Sequence, residues 1–148
     1  MTKIITKSTE ETKEWAKKYA QGLQGGEVIS LIGDLGAGKT TFSQGLADGL
    51  GVKQNVNSPT YVIMKIYPIN HTIKNEELRI KNLVHIDAYR LKSAVDLEAI
   101  GALEYFGRED TIVLIEWADK IKKVLTSQLK PIIFEFQIEN NIRKINYK

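Results

Sequence analysis

The chain has 148 residues, 43% of them hydrophobic and 26% charged, a globular composition long enough to build a core and unlike that of a disordered segment. It has no cysteine and two histidines, which excludes disulfides and thiolate metal sites and argues against a histidine-based zinc site. A net charge of +3 suits a phosphate ligand or nucleic acid without demanding either.

Ile4 and Ile5 lie in a short extended segment that ends at Ser8. Ser8 and Glu11 have the spacing of a capping box, in which each side chain satisfies a backbone N–H at a helix start. The helix that follows lines up Trp15, Ala16, Tyr19, Ala20 and Leu23 on one face, and Gly25-Gly26 stops it. Residues 28–32, VISLI, are a mostly apolar run of strand length, as expected of a strand covered on both faces. A glycine-rich turn follows over residues 33–38, then a helix over 39–50 closed by Gly51. Residues 61–67 are β-rich and 83–87 form a second apolar run. The polar stretch 68–82 between them reads as a long hairpin loop or insertion. Residues 95–106 look helical, with an interruption at Gly101 and an end at Gly107. Residues 111–115, TIVLI, predict a buried strand. Residues 131–138 and 141–147 predict two more, in a hairpin turning at Asn140-Asn141. Strands alternating with helices and then a β-rich end predict one domain over residues 1–148. Its fold would be three-layer α/β/α with a mixed, partly parallel sheet. The start Met1-Thr2-Lys3 has no apolar run after it, and no stretch of about 20 apolar residues occurs. The expectation is a cytoplasmic protein with no membrane contact.

Gly33, Asp34, Leu35, Gly36, Ala37, Gly38, Lys39 and Thr40 satisfy G-x-x-x-x-G-K-[ST] in full. Glycines let successive backbone N–H groups close around phosphate oxygens without a Cβ in the way. The helix starting near Lys39 points its positive end at the same phosphates. Lys39 adds a mobile cation, and the Thr40 hydroxyl can ligate Mg²⁺. The motif follows a strand and opens a helix, as that mechanism requires. A P-loop protein also needs an acidic residue at a strand end for the metal or its waters. Asp87 and Glu116 each close an apolar strand, and carboxyl ends of parallel strands share one edge of the sheet.

No N-K-x-D element for guanine follows, so adenine nucleotide is favoured and Mg-ATP is the expected ligand, with ADP as product. A kinase lid would cluster arginines, whereas Arg79, Arg90, Arg108 and Arg143 are far apart. Three classes stay open. They are an ATPase, a small-metabolite or nucleoside kinase, and a module that binds nucleotide without turning it over. The basic residues Arg143, Lys144 and Lys148 read as a solvated terminal strand, with nucleic-acid contact as the alternative.

The segments GDLGAGKTT (33–41), NSPTY (57–61), HIDAYR (85–90), DLEAIG (96–101) and IEW (115–117) occur in the order seen in bacterial TsaE proteins. The chain resembles that family over most of its length. The resemblance implies an ATPase acting with a TsaB–TsaD pair in threonylcarbamoyladenosine modification of tRNA, with any tRNA contact indirect or weak. It also implies that Lys39 binds phosphates, Thr40 and Glu116 ligate Mg²⁺, and Thr41 adds a phosphate contact. Asp87 is implied near the metal or attacking water, Thr60 in a loop near the γ-phosphate, and Trp117 beside the site. Other readings exist for several of these. Pro59 suits a fixed turn that leaves Thr60 structural, Trp117 suits a place in the core, and His85 reads as packed rather than catalytic. Arg90 suits a loop anchor or a phosphate contact, and Asp96 and Glu98 suit first-turn helix acids. Residues 70–82 extend the hairpin beyond the family pattern. Thr12, near the first helix, is a candidate for the base side of the nucleotide.

Overall fold

Side-chain alternation along the central strands decides which face each helix covers. The computed structural model describes residues 2–69 and 80–148. Among these, β1 (Thr2–Thr6), β2 (Val28–Gly33), β3 (Met64–Pro68), β4 (Asn82–Asp87), β5 (Thr111–Glu116), β6 (Ile132–Glu139) and β7 (Ile142–Tyr147) form one sheet. Its order is β1-β7-β6-β2-β5-β4-β3. β6, β2, β5 and β4 run parallel, while β3, β7 and β1 are antiparallel to their neighbours. Ile29, Leu31, Leu83, Ile112 and Leu114 point to one face, and there they meet Ala16 and Ala20 of α1 (Thr9–Ala20) and Phe42 and Leu46 of α2 (Lys39–Leu50). Val28, Val84, Ile86, Val113 and Ile115 point to the other. That face is covered by Leu97 of α3 (Ala94–Ala99), a 3-10 turn (Ala102–Tyr105), a second (Ala118–Ile121) and Leu125 of α4 (Lys122–Gln128). The result is the expected three-layer α/β arrangement around a mixed, partly parallel sheet. Each fully buried Leu, Ile or Phe contributes roughly 1.5–3 kcal/mol of transfer free energy to it.

Most expected elements form, with local differences. Ser8 accepts from the Glu11 N–H at 3.1 Å, but the Glu11 carboxylate takes the Lys7 N–H at 2.7 Å, one residue before the cap. A full capping box occurs instead at α3, where Ser93 and Asp96 satisfy each other's backbone N–H. Asp96 is therefore a helix-start residue. The β-rich stretch from Tyr61 becomes a strand only at Met64, because residues 60–62 form a turn. The hairpin β6–β7 turns at Asn140 and Asn141, both with positive φ, as a tight two-residue turn requires. The expected extension at 70–82 falls mostly on residues 70–79, outside the described residues, as do His71 and Arg79. Among the described residues no helix is long and apolar enough to cross a membrane.

Candidate functional site

The parallel core places the carboxyl ends of β2, β5 and β4 side by side, with Asp87 directly opposite Glu116 in the β4–β5 register. Both follow the alternation of Leu83 and Leu114, so both side chains lie on the α2 face. The turn between β2 and α2 has positive φ at Gly36 and Gly38, a conformation that strains any residue with a Cβ. α2 starts at Lys39 with Gly38 as its N-cap and no side-chain cap, which leaves its first N–H groups to a ligand. A cleft of about 420 Å³ opens here.

Glu116 is buried and heavily engaged. Its Oε2 accepts from the Thr40 hydroxyl at 3.2 Å and its Oε1 from Ser43 at 3.1 Å. His85 Nε2 lies 2.9 Å from the same Oε1, and its Nδ1 is buried without a partner. Asp87 is engaged on both oxygens, by the Ser58 hydroxyl at 3.1 Å and the Tyr89 N–H at 2.9 Å. The Thr60 hydroxyl donates to Ser58 Oγ at 3.4 Å, and Arg90 donates to the Thr60 carbonyl. The loop is tied down further where Asp87 N donates to the carbonyl of Ile63, a β-branched residue held at φ 70°. Trp117 also has positive φ, and this sharp exit from β5 swings its ring over the P-loop.

Lys39 Nζ donates to the carbonyls of Gly33 at 2.6 Å and Asp34 at 2.8 Å, and stands 3.9 Å from the centroid of the Trp117 ring. Burial lowers its pKa below the ordinary lysine value, and the carboxylates of Glu116, Asp119, Asp34 and Asp87 oppose that shift in part.

Of the residues singled out from sequence, Leu35, Gly36, Gly38, Lys39, Thr40, Thr41, Thr60, Asp87, Glu116 and Trp117 line the cleft. Gly33 and Asp34 meet it through the carbonyls that hold Lys39, and Ala37 is buried within the turn. Thr12 is not brought there. Its side chain is fully buried, 2.7 Å from the Thr6 hydroxyl and 3.1 Å from the Ser8 carbonyl, where it fixes β1 to α1. Ser43 is a partner that sequence reasoning did not single out, and Ser58 was read only as part of the NSPTY segment, without its contact to Asp87. Ser43 sits one turn after Lys39, a spacing that was available, whereas its contact with Glu116 spans 73 positions.

The model of the threonylcarbamoyl adenosine biosynthesis protein TsaE matches residues 6–145. The chain belongs to the TsaE family. A tRNA threonylcarbamoyladenosine biosynthesis protein TsaE of Bacillus subtilis is 40% identical over 130 residues, covering 88% of this chain and 75% of that protein. The protein of the same description from Rickettsia typhi is 34% identical over 142 residues, 95% of this chain and 90% of its own length. The crystal structure of Bacillus subtilis YdiB superposes with a TM-score of 0.72 at 33% identity, over 99% of this chain and 83% of that one. The matched region includes every cleft residue named above.

Proposed function

We propose that this TsaE-family chain binds Mg-ATP in the cleft and hydrolyses it, and that it does so for threonylcarbamoyladenosine modification of tRNA together with a TsaB–TsaD pair. The observation that carries the reading is the meeting of the Thr40 hydroxyl with the Glu116 carboxylate at the mouth of a P-loop. Their oxygens are 3.2 Å apart. Two adjacent ligands of one octahedral Mg²⁺, each about 2.1 Å from it, are about 3 Å apart. The pair therefore fits a magnesium ion, which supplies charge neutralisation at the β- and γ-phosphate oxygens when bound. Asp87 contributes to that site from one position further, with both oxygens engaged by protein donors.

The chain's own residues account for the rest. Lys39 exchanges the carbonyls of Gly33 and Asp34 for phosphate oxygens, and its buried setting strengthens that contact. Backbone N–H groups of residues 36–41 and the Thr41 hydroxyl take the remaining phosphate oxygens. Asp87 orients the attacking water and receives its proton. The water oxygen bonds to the γ-phosphorus as the bond to the bridging oxygen breaks, giving ADP and inorganic phosphate. Thr60, held on Ser58 and Arg90, sits at the γ-phosphate end. Trp117 screens Lys39 from water.

The experiment is phosphate release by the purified chain, alone and with TsaB–TsaD, beside the Lys39→Ala variant. Lys39→Ala is expected to abolish turnover and weaken ATP binding while keeping the thermal transition, because it removes a ligand charge rather than core. A folded Lys39→Ala protein with unchanged turnover would sink the site. ATP binding with no phosphate release under any condition would leave only a nucleotide-sensing module.

A further inference from the structure

His85 is fully buried on the α2 face of β4, one alternation before Asp87, and the hydrolysis proposed above does not use it. Its Nε2 lies 2.9 Å from Glu116 Oε1, while its Nδ1 is buried with no hydrogen-bond partner among the described residues. The second fact fixes the first. A proton on Nδ1 alone would be a buried donor with no acceptor, and Nε2 would then turn a lone pair against a carboxylate oxygen. The ring therefore carries its proton on Nε2 and donates it to Oε1.

Ser43 does not replace this donor. Its hydroxyl faces two acceptors, the Lys39 carbonyl at 2.9 Å and the same Oε1 at 3.1 Å, and has a single proton to share between them. The Thr40 hydroxyl, 3.2 Å from Oε2, is the donor that turns away when a cation binds. Among the contacts of Glu116, His85 alone gives a proton that no other acceptor claims. Together His85 and Ser43 occupy Oε1 and leave Oε2 facing Thr40 and the cleft. A carboxylate held in this way offers one oxygen to a cation. That suits Mg²⁺, which is small and strictly octahedral, whereas the larger Ca²⁺ takes more ligands and accepts both oxygens of a carboxylate.

We propose that His85 is a positioning residue for the cation site, its Nε2–H holding Oε1 of Glu116 so that the carboxylate presents Oε2 alone and the site prefers Mg²⁺ to Ca²⁺. This rests on the Mg-ATP reading given above. The test titrates Mg²⁺, and separately Ca²⁺, at fixed ADP and follows nucleotide binding by the wild type, His85→Asn and His85→Gln. A glutamine amide reaches about as far from the backbone as Nε2, whereas an asparagine amide stops near the depth of Nδ1. His85→Asn is expected to raise the half-saturating Mg²⁺ concentration at least about tenfold, the loss seen when the group behind a metal ligand is removed. The half-saturating Ca²⁺ concentration should move less than about threefold, so the preference for Mg²⁺ narrows, and metal-free ADP binding should stay at its wild-type level. His85→Gln is expected to return the Mg²⁺ response to within about threefold of the wild type. An unchanged Mg²⁺ response in His85→Asn, equal losses for both cations, or a His85→Gln as impaired as His85→Asn overturns the assignment. If His85→Asn loses its thermal transition, nitrogen NMR of the wild-type imidazole decides, with His85→Gln identifying the signal. An Nε2–H ring is expected, and an Nδ1–H ring overturns the assignment. A wild type whose ADP binding ignores Mg²⁺ overturns the Mg-ATP reading itself.

Discussion

Glu116 and Asp87 are neighbours in register with different surroundings, and the difference separates their expected roles. Glu116 offers Oε2 to a hydroxyl that can turn away, because Thr40 is a ligand type as well as a donor. Asp87 is held by Ser58 and by a backbone N–H that cannot rotate. Glu116→Gln is therefore expected to weaken Mg²⁺-dependent nucleotide binding by at least about tenfold, and Asp87→Asn to leave binding nearly intact while slowing hydrolysis on the order of 10²-fold. Titrating Mg²⁺ at fixed nucleotide decides it, and the opposite ranking exchanges the two roles. Lys39 adds a pH dependence. Its folded-state pKa lies below the ordinary lysine value, and bound phosphate favours the charged form, so binding takes up a proton once the free lysine has lost its own. Affinity is then expected to fall with rising pH, beginning below the usual lysine range. An affinity flat up to that range would contradict it. At this scale the motif residues were legible because the spacing within one turn and one helix start is set locally. The partners were not. Ser43, Ser58 and His85 meet their carboxylates across 73, 29 and 31 positions, distances only the strand register closes.

Among the elements, α2 was placed to the residue, from the P-loop to a Gly51 cap at φ 88°. What the pattern did not reveal is why a helix should contain Gly45 and Gly49. They lie one turn apart on the side facing α1, and a Cβ on either would come within 2.4 Å of a backbone carbonyl, of Lys13 and Lys17 respectively. α1 and α2 thus touch backbone to backbone. Gly45→Ala is expected to destabilise the protein by about 1–3 kcal/mol through overpacking, although alanine alone would favour the helix by about 1 kcal/mol. Chemical denaturation measures it, and a stabilised variant would mean the helices can separate without loss. The pattern over residues 118–128 predicts no element, yet a 3-10 turn and α4 form there. Lys120, Lys122 and Lys123 break up the apolar stripe, and Ala118, Ile121 and Leu125 are buried in the core with Val124 half-buried against it. Tertiary contact supplies what local periodicity lacks.

On the scale of the whole molecule, the cations are placed for binding rather than for rapid chemistry. Phosphoryl transfer depends on positive charge at the γ-phosphoryl oxygens, and an arginine finger supplies roughly 10³–10⁵ in rate where one exists. Among the described residues no arginine lines the cleft. Arg90 is occupied by the Thr60 carbonyl, Arg108 by Asp110, and Arg143 stands on the far side of the P-loop. Leu35 at the tip of the P-loop is 88% exposed and Tyr61, beside Thr60, is 93% exposed. Such exposed apolar groups, Leu35 on the cleft and Tyr61 beside Thr60, give a partner something to grip. A partner seated there reaches both the P-loop and the loop carrying Thr60. It can bring a cation to the γ-phosphate or release Arg90 from Thr60 toward it. The lone chain is therefore expected to release phosphate slowly, and TsaB–TsaD to raise that rate at least about tenfold. Tyr61→Ala, exposed and outside the catalytic contacts, is expected to reduce the acceleration while leaving ATP affinity in place. Steady-state phosphate release with increasing TsaB–TsaD reads both. Fast turnover by the isolated chain with no response to the pair would instead describe a self-sufficient ATPase.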